Sequence, residues 1–128
     1  MYAFSIERPA SVADAAQLAA AGAKVLAGGQ TLLATMKQRL ADPGRLVDLG
    51  SIASLSGIRR EGDAIVIGAM TRHLAVAESA EVKASIPALA ALASHIGDKQ
   101  VRAMGTLGGS VANNDPAACY PSAVLGLG

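Results

Sequence analysis

Aromatic residues are scarce in the sequence, tryptophan is absent, and neither sign of charge dominates. The only aromatic residues are Tyr2, Phe4 and Tyr120, and 11 basic residues face 10 acidic ones, giving a formal net charge of +1. Nucleic-acid-binding proteins usually present a basic surface and, for single strands, aromatic side chains on which bases stack. The composition therefore argues against a nucleic-acid-binding protein.

Cysteine and long apolar runs are scarce as well. The single cysteine, Cys119, cannot form an intrachain disulfide, and alone it cannot hold an iron–sulfur cluster, which typically takes four ligands. No apolar run approaches the roughly 20 residues of a membrane-spanning helix, and the N-terminus lacks the regions of a signal peptide. These features predict a cytoplasmic protein without a membrane span.

The first part of the chain predicts alternating strands and helices. The segments "AFSIERP" and "RLVDLG" are typical of strands, and the short apolar run "KVLA" indicates a buried strand. Ser11 is a predicted helix N-cap and Gly22 the C-terminal end of that helix. A second helix is predicted over "TLLATMKQRL", with Leu33, Met36 and Leu40 on one side. This β-α-β-α-β order predicts a sheet backed by helices.

The second part predicts a hairpin followed by helices. The segment "SGIRREGDAIVIGAM" indicates two strands joined by a turn at residues 61–63. From Thr71 to Gln100 apolar residues recur at helical spacing, with Gly97 after the last turn. The final "YPSAVLGLG" is typical of the start of an apolar helix, and we expect the protein to continue beyond it.

Two Gly-Gly pairs carry the clearest chemical signal. In "VLAGGQTLL" and "GTLGGSVAN" each pair lies beside a hydroxyl residue, and the first leads into a predicted helix, where Thr31 can cap the helix or contact a phosphate. Glycine lets the backbone approach a ligand closely, and N–H groups at a helix start favour an anion. One such loop alone is more often a plain turn, whereas two favour a diphosphate bound from two sides. Neither has the Rossmann or P-loop spacing.

Both motifs together resemble one protein family. The segment "AGGQTLLATMKQR", followed later by "VRAMGTLGGSVANNDPAACYP", is similar to the FAD-binding (medium) subunit of the molybdenum hydroxylases, of the carbon monoxide dehydrogenase and xanthine dehydrogenase type. The resemblance covers essentially the whole chain but only the first half of that subunit. It implies an α+β fold of the vanillyl-alcohol oxidase (PCMH) type, in which two small α/β subdomains hold FAD between them. Residues 1–56 would form the first subdomain and residues 57–128 the start of the second, which is incomplete.

The resemblance also implies the site and the reaction. The family is an oxidoreductase subunit that passes electrons from [2Fe-2S] clusters of a small partner subunit through non-covalent FAD to an acceptor. The molybdenum cofactor and substrate hydroxylation belong to a large partner subunit, so no catalytic residue and no metal ligand is expected here. The positions that match the family's FAD-binding residues are Leu26, Ala27, Gly28, Gly29, Gln30, Thr31, Leu32, Gly105, Thr106, Leu107, Gly108, Gly109, Ser110, Asn113 and Cys119.

One of these positions departs from the family pattern. Relatives usually carry an acidic residue, which contacts the ribityl or a nearby part of FAD, where this sequence has Cys119. A thiol is a weak hydrogen-bond partner, so the change is either neutral at a tolerant contact or marks a reactive redox cysteine. Asp115 is predicted to form a turn rather than to contact the flavin. His73 and His95 lack metal-ligand spacing and are predicted to be surface or packing residues.

Two other functions remain open on sequence alone. One is a homologue that keeps the β/α half but binds no flavin, and the other is a stand-alone flavin oxidoreductase of the same fold. The visible spectrum of the purified chain distinguishes the first. Neighbouring genes for the molybdenum and iron–sulfur subunits distinguish the second.

Overall fold

A computed structural model describes residues 1–127, which divide into two compact units, Met1–Ala53 and the residues from Ser54 onward. The first unit contains a parallel sheet of three strands, β1 (Ser5–Glu7), β2 (Lys24–Leu26) and β3 (Arg45–Asp48), in the order β1-β3-β2. Helix α1 (Val12–Ala20) follows β1, and helix α2 (Leu32–Lys37) follows β2. The predicted β-α-β-α-β order is therefore confirmed.

Helix α1 begins and ends at the predicted residues. The Ser11 hydroxyl accepts a hydrogen bond from the Asp14 N–H at 3.1 Å, which satisfies one of the free donors at the helix start. Gly22, just past the helix, adopts φ +92°, a conformation that favours glycine. Both local predictions are confirmed.

Two predictions for the first unit are wrong. Strand β2 was predicted to be buried, but it is an edge strand, and Val25 is 42% exposed while only Leu26 is buried. Leu40 was predicted to lie in α2, on one side with Leu33 and Met36, but the helix ends at Lys37, Arg39 turns the chain with φ +61°, and Leu40 is 74% exposed. The core below α2 is formed by buried side chains from the sheet and the helix, namely Leu26, Met36 and Leu46.

The second unit begins with an antiparallel hairpin of β4 (Ile58–Glu61) and β5 (Ala64–Ile67). Its turn contains Gly62 with φ +60°, as the sequence predicted. Six helices follow: α3 (His73–Glu78), α4 (Ala80–Ser85), α5 (Pro87–Ser94), α6 (Lys99–Met104), α7 (Leu107–Asn113) and α8 (Cys119–Leu127).

Apolar residues of these helices form one core. Its buried members are Val76, Ala77, Val82, Leu89, Ala90, Ala93 and Tyr120. The Arg102 guanidinium donates to the carbonyl oxygens of Ile96 and Gly97, at 3.1 and 2.9 Å. Within residues 1–127 no helix has the length and apolar character needed to cross a membrane.

Candidate functional site

The first glycine loop joins β2 to α2, as predicted, and lies in the first unit. Leu26 at the end of β2 and Leu32 at the start of α2 pack toward the core. Between them, Ala27, Gly28 and Gly29 are half-buried, whereas Gln30 and Thr31 are exposed. The loop therefore has its two ends fixed in the core and its centre accessible to a ligand.

Backbone N–H groups in this loop are free. Within the part of the chain that the structure describes, the N–H groups of residues 28–32 donate no hydrogen bond to another group. Gly29 adopts φ +73°, and a Cβ there would lie 2.8 Å from Leu33 Cδ1. A run of free N–H groups around a glycine of positive φ is a suitable binding site for an anion such as phosphate.

Thr31 does not cap α2. Its backbone is already helical, with φ −100° and ψ −53°, and its hydroxyl makes no capping bond. Instead its carbonyl oxygen accepts from the Thr35 N–H at 3.0 Å and from the Thr35 hydroxyl at 2.8 Å. Of the two roles left open by the sequence, capping is excluded. Contact with a phosphate stays a prediction.

The second glycine segment, residues 105–110, lies in the second unit and differs from the first. The sequence suggested another loop of the same kind, but the segment joins α6 to α7, and Gly108 and Gly109 lie inside the first turn of α7. Thr106 is the N-cap: its buried hydroxyl accepts from the Gly109 N–H at 3.2 Å. The prediction of a second loop of the first kind is therefore wrong.

Most backbone donors of this segment are already used by the fold. The N–H groups of Leu107 and Gly108 donate to the carbonyl oxygens of Thr71 and Ala69, at 3.0 and 2.8 Å. The remaining polar groups are on side chains: Ser110 and Asn113 have side chains that form no hydrogen bond with any residue from 1 to 127. The second segment can thus offer a ligand side-chain donors rather than a row of free amides.

Two of its glycines are required by packing within the unit. A Cβ at Gly105 would lie 2.5 Å from His73 Nε2, and one at Gly108 would lie 2.6 Å from Ala69 Cβ. Gly105 has φ −62°, which any residue can adopt, so the neighbouring side chain and not the backbone conformation excludes a larger residue. No signal in the sequence indicated the packing segment 69–73, because its residues are distant in the chain and form no motif.

The end of the motif forms a turn and the start of α8. The Asp115 carboxylate accepts from the Ala117 N–H at 2.8 Å, and Asn114 adopts φ +49° at the end of α7. Asp115 is thus a turn former, as predicted. Cys119 is the first residue of α8 and is exposed.

Two buried titratable residues lie behind this segment. Burial lowers the pKa of His73 from its ordinary value of 6.5. Burial, with a smaller contribution from the charge of neighbouring Cys119, raises the pKa of Tyr120 to about 12. His73 is therefore a packing residue, as predicted, while His95 is exposed.

Residues 1–127 contain no group of three or more His, Cys, Asp or Glu that could hold a metal ion.

The family described as "FAD binding domain in molybdopterin dehydrogenase" matches residues 2–128, and the chain belongs to this family. Its fold is the α+β, vanillyl-alcohol oxidase (PCMH) type predicted from the resemblance, and FAD is the family's cofactor.

Relatives of known activity are similar along nearly the whole chain. The carbon monoxide dehydrogenase medium chain of Afipia carboxidovorans is 44% identical over 98% of this chain and 44% of its own length. The nicotine 6-hydroxylase medium subunit of Paenarthrobacter nicotinovorans is 40% identical over 93% of this chain and 43% of its own length. This chain thus spans less than half the length of these relatives.

Solved structures of two enzymes are also similar to this chain over nearly its whole length. A carbon monoxide dehydrogenase from Hydrogenophaga pseudoflava, which lacks the Mo-pyranopterin moiety of its molybdenum cofactor, superposes with a TM-score of 0.93 at 43% identity, covering 95% of this chain and 44% of that one. Quinoline 2-oxidoreductase from Pseudomonas putida 86 gives a TM-score of 0.90 at 36% identity, covering 94% of this chain and 43% of that one.

Proposed function

We propose that the chain binds FAD non-covalently as part of the medium subunit of a molybdenum hydroxylase. In this role FAD receives electrons from [2Fe-2S] clusters of a small partner subunit and passes them to an acceptor, while substrate is hydroxylated on a large molybdenum-containing subunit. The names of the relatives, medium chains of carbon monoxide dehydrogenase and nicotine 6-hydroxylase, support this assignment. A cytoplasmic location is part of the same proposal.

The structural observation that carries the proposal is the set of free amides in the first loop. A diphosphate has many acceptor oxygens, and the N–H groups of residues 28–32 are unused donors at one place in the described chain. The exposed Thr31 hydroxyl adds a further donor beside them. Gly29 is required for this loop, since it has φ +73° and a Cβ there would lie 2.8 Å from Leu33 Cδ1, so a larger residue would displace the backbone that carries the amides.

For the second segment we propose a contact with FAD through different groups. With most of its amides bonded to residues 69–71 and to Thr106, its donors toward FAD are the side chains of Ser110 and Asn113. Gly109 lets the ligand approach the first turn of α7. This turn is held in place by residues 105–108. Cys119 is at the position that the resemblance matches to a ribityl contact.

Binding of FAD is tested by the visible spectrum of the purified protein and by titration with FAD. The flavin band and a saturable titration are the expected results, with the band lost in a Gly29→Val variant. A colourless protein that does not bind added FAD would favour the homologue that binds no flavin.

Electron transfer is tested on the assembled complex. Co-expression with the genes for the small and large partner subunits should give a complex whose flavin is bleached by the substrate of the large subunit. The chain alone should not be reduced by that substrate. Flavin reduction in the chain alone would favour a stand-alone flavin oxidoreductase.

A further inference from the structure

We propose that His73 and Tyr120 are positioning residues for FAD: their packed rings fix the second glycine segment and the start of α8 in the geometry that binds the cofactor. The inference rests on the proposed function, because it concerns how residues behind the site determine flavin affinity. Neither residue is among the positions that match the family's FAD-binding residues, and neither is expected to touch FAD.

His73 contacts Gly105 through both its backbone and its ring. The His73 N–H donates to the Gly105 carbonyl oxygen at 3.0 Å, which joins the start of α3 to the residue before the α7 N-cap. The imidazole also occupies the space of a side chain at 105, since a Cβ there would lie 2.5 Å from Nε2 and 2.8 Å from Cδ2. The backbone at 105 would accept alanine, so the imidazole is the main reason for glycine.

The His73 ring also packs against the ring of Tyr120. Their ring centroids are 5.2 Å apart, with the planes tilted by 39°, and Tyr120 is fully buried. Tyr120 directly follows Cys119, the residue at the predicted ribityl position. The imidazole therefore contacts both parts of the candidate site in the second unit, the glycine segment through Gly105 and the start of α8 through Tyr120.

The polar atoms of the two rings indicate how the pair acts. His73 Nδ1 and the Tyr120 hydroxyl are buried, and neither has a hydrogen-bond partner among residues 1–127. A buried polar atom without a partner destabilises a core, so an apolar pair would give a more stable unit. Stability alone does not explain these side chains. What they provide is the shape and rigidity of two packed rings directly behind the segment, so their effect should come from the rings and not from hydrogen bonding.

The test is a double-mutant cycle on the purified protein with FAD affinity as the readout. Gly105→Ala forces the segment away from the imidazole and should weaken FAD binding about tenfold, the size of coupling typical of contacting residues. In a His73→Ala background, which itself should bind FAD more weakly, adding Gly105→Ala should have a clearly smaller effect, because the ring is gone and only the Val101 carbonyl oxygen, at 3.0 Å from the new Cβ, remains as a close contact.

Gly108→Ala is the matched control. A Cβ at 108 would meet the Ala69 carbonyl oxygen at 2.8 Å and the Ala69 Cβ at 2.6 Å, and its three nearest contacts include no atom of residue 73. Its effect on FAD affinity should therefore be equal in the parent and in the His73→Ala background. An equal effect of Gly105→Ala in both backgrounds would overturn the proposal.

A second pair of variants keeps the test decisive if His73→Ala does not fold. Tyr120→Phe preserves the ring and should leave FAD affinity unchanged, whereas Tyr120→Leu removes the ring and should weaken it about tenfold. Thermal unfolding without FAD separates positioning from stability: Tyr120→Phe should be at least as stable as the parent. Equal FAD affinities for Tyr120→Leu and the parent would contradict the proposal. If the parent itself binds no FAD, the proposed function fails instead.

Discussion

The hydroxyl of Thr106 accepts a hydrogen bond from the N–H of Gly109 at 3.2 Å, so the fold itself uses a donor that the motif suggested for a ligand. In the first loop the N–H groups of residues 28–32 donate no hydrogen bond to any of the described residues. The two glycine pairs look alike in sequence but differ in available donors. The first loop therefore has backbone amides that are free for a ligand, whereas the second segment has the unbonded side chains of Ser110 and Asn113.

Gly29→Val should abolish FAD retention. Gly29 has φ +73°, and a Cβ there would lie 2.8 Å from Leu33 Cδ1, so the substitution displaces the loop that carries the free amides. The flavin content of the purified variant, read from its visible spectrum, measures the effect.

Gly22→Val is the matched control. Gly22 has φ +92°, so the backbone strain is comparable, but a Cβ at this position meets nothing within 4 Å. We expect a loss of stability of about 1 kcal/mol or more from the strain, with flavin content unchanged. Equal flavin loss in the two variants would mean that Gly29 acts through stability and not through the site.

Gly109→Val should also abolish FAD retention while most of the secondary structure remains. Gly109 lies in the first turn of α7 and does not have a positive φ, so the positive-φ argument for this position does not apply. A loss of flavin with an unchanged circular dichroism spectrum would then indicate that residue 109 lies beside the ligand. Far-UV circular dichroism and flavin content on the same sample test this, and a variant with full flavin content would remove the turn from the site.

Cys119→Asp should strengthen FAD binding by about 1 kcal/mol, or roughly fivefold, the usual net value of one hydrogen bond. Cys119 is exposed, so a carboxylate there is not forced into an apolar pocket. Titration of the apo-protein with FAD measures the change, with Cys119→Ser as a control of similar size and no charge. Weaker binding by the aspartate variant would show that the ribityl contact lies elsewhere in this protein.

Stability should fall as the pH drops below about 6.5, the ordinary pKa of histidine. Burial lowers the pKa of His73 in the folded chain, so in the window between the folded pKa and 6.5 the unfolded state binds more protons. Protonation then favours unfolding. Urea unfolding at about pH 7.5 and about pH 5 measures the loss. His73→Gln should show a smaller pH dependence than the parent.

Helix ends and turns could be predicted from the sequence where they depend on residues close together in the chain. Ser11, Gly22 and Gly62 each act through neighbours a few residues away, and each does so as predicted. The segment 69–73 could not be predicted, because its contacts with Gly105 and Gly108 depend on how distant parts of the chain pack. For the same reason, the similar motifs "AGGQT" and "LGGSV" did not show that their structures differ. The first follows an edge strand, and the second lies inside a helix.

Calorimetric titration of the apo-protein with FAD and with riboflavin tests whether the free amides of residues 28–32 bind the diphosphate of FAD. Riboflavin has the same ring system but no diphosphate and no adenosine, so it cannot use the free amides of residues 28–32. We expect saturable binding of FAD, far weaker binding of riboflavin, and a loss of this preference in Gly29→Val. Equal affinity for the two flavins, or a preference that survives Gly29→Val, would contradict this expectation.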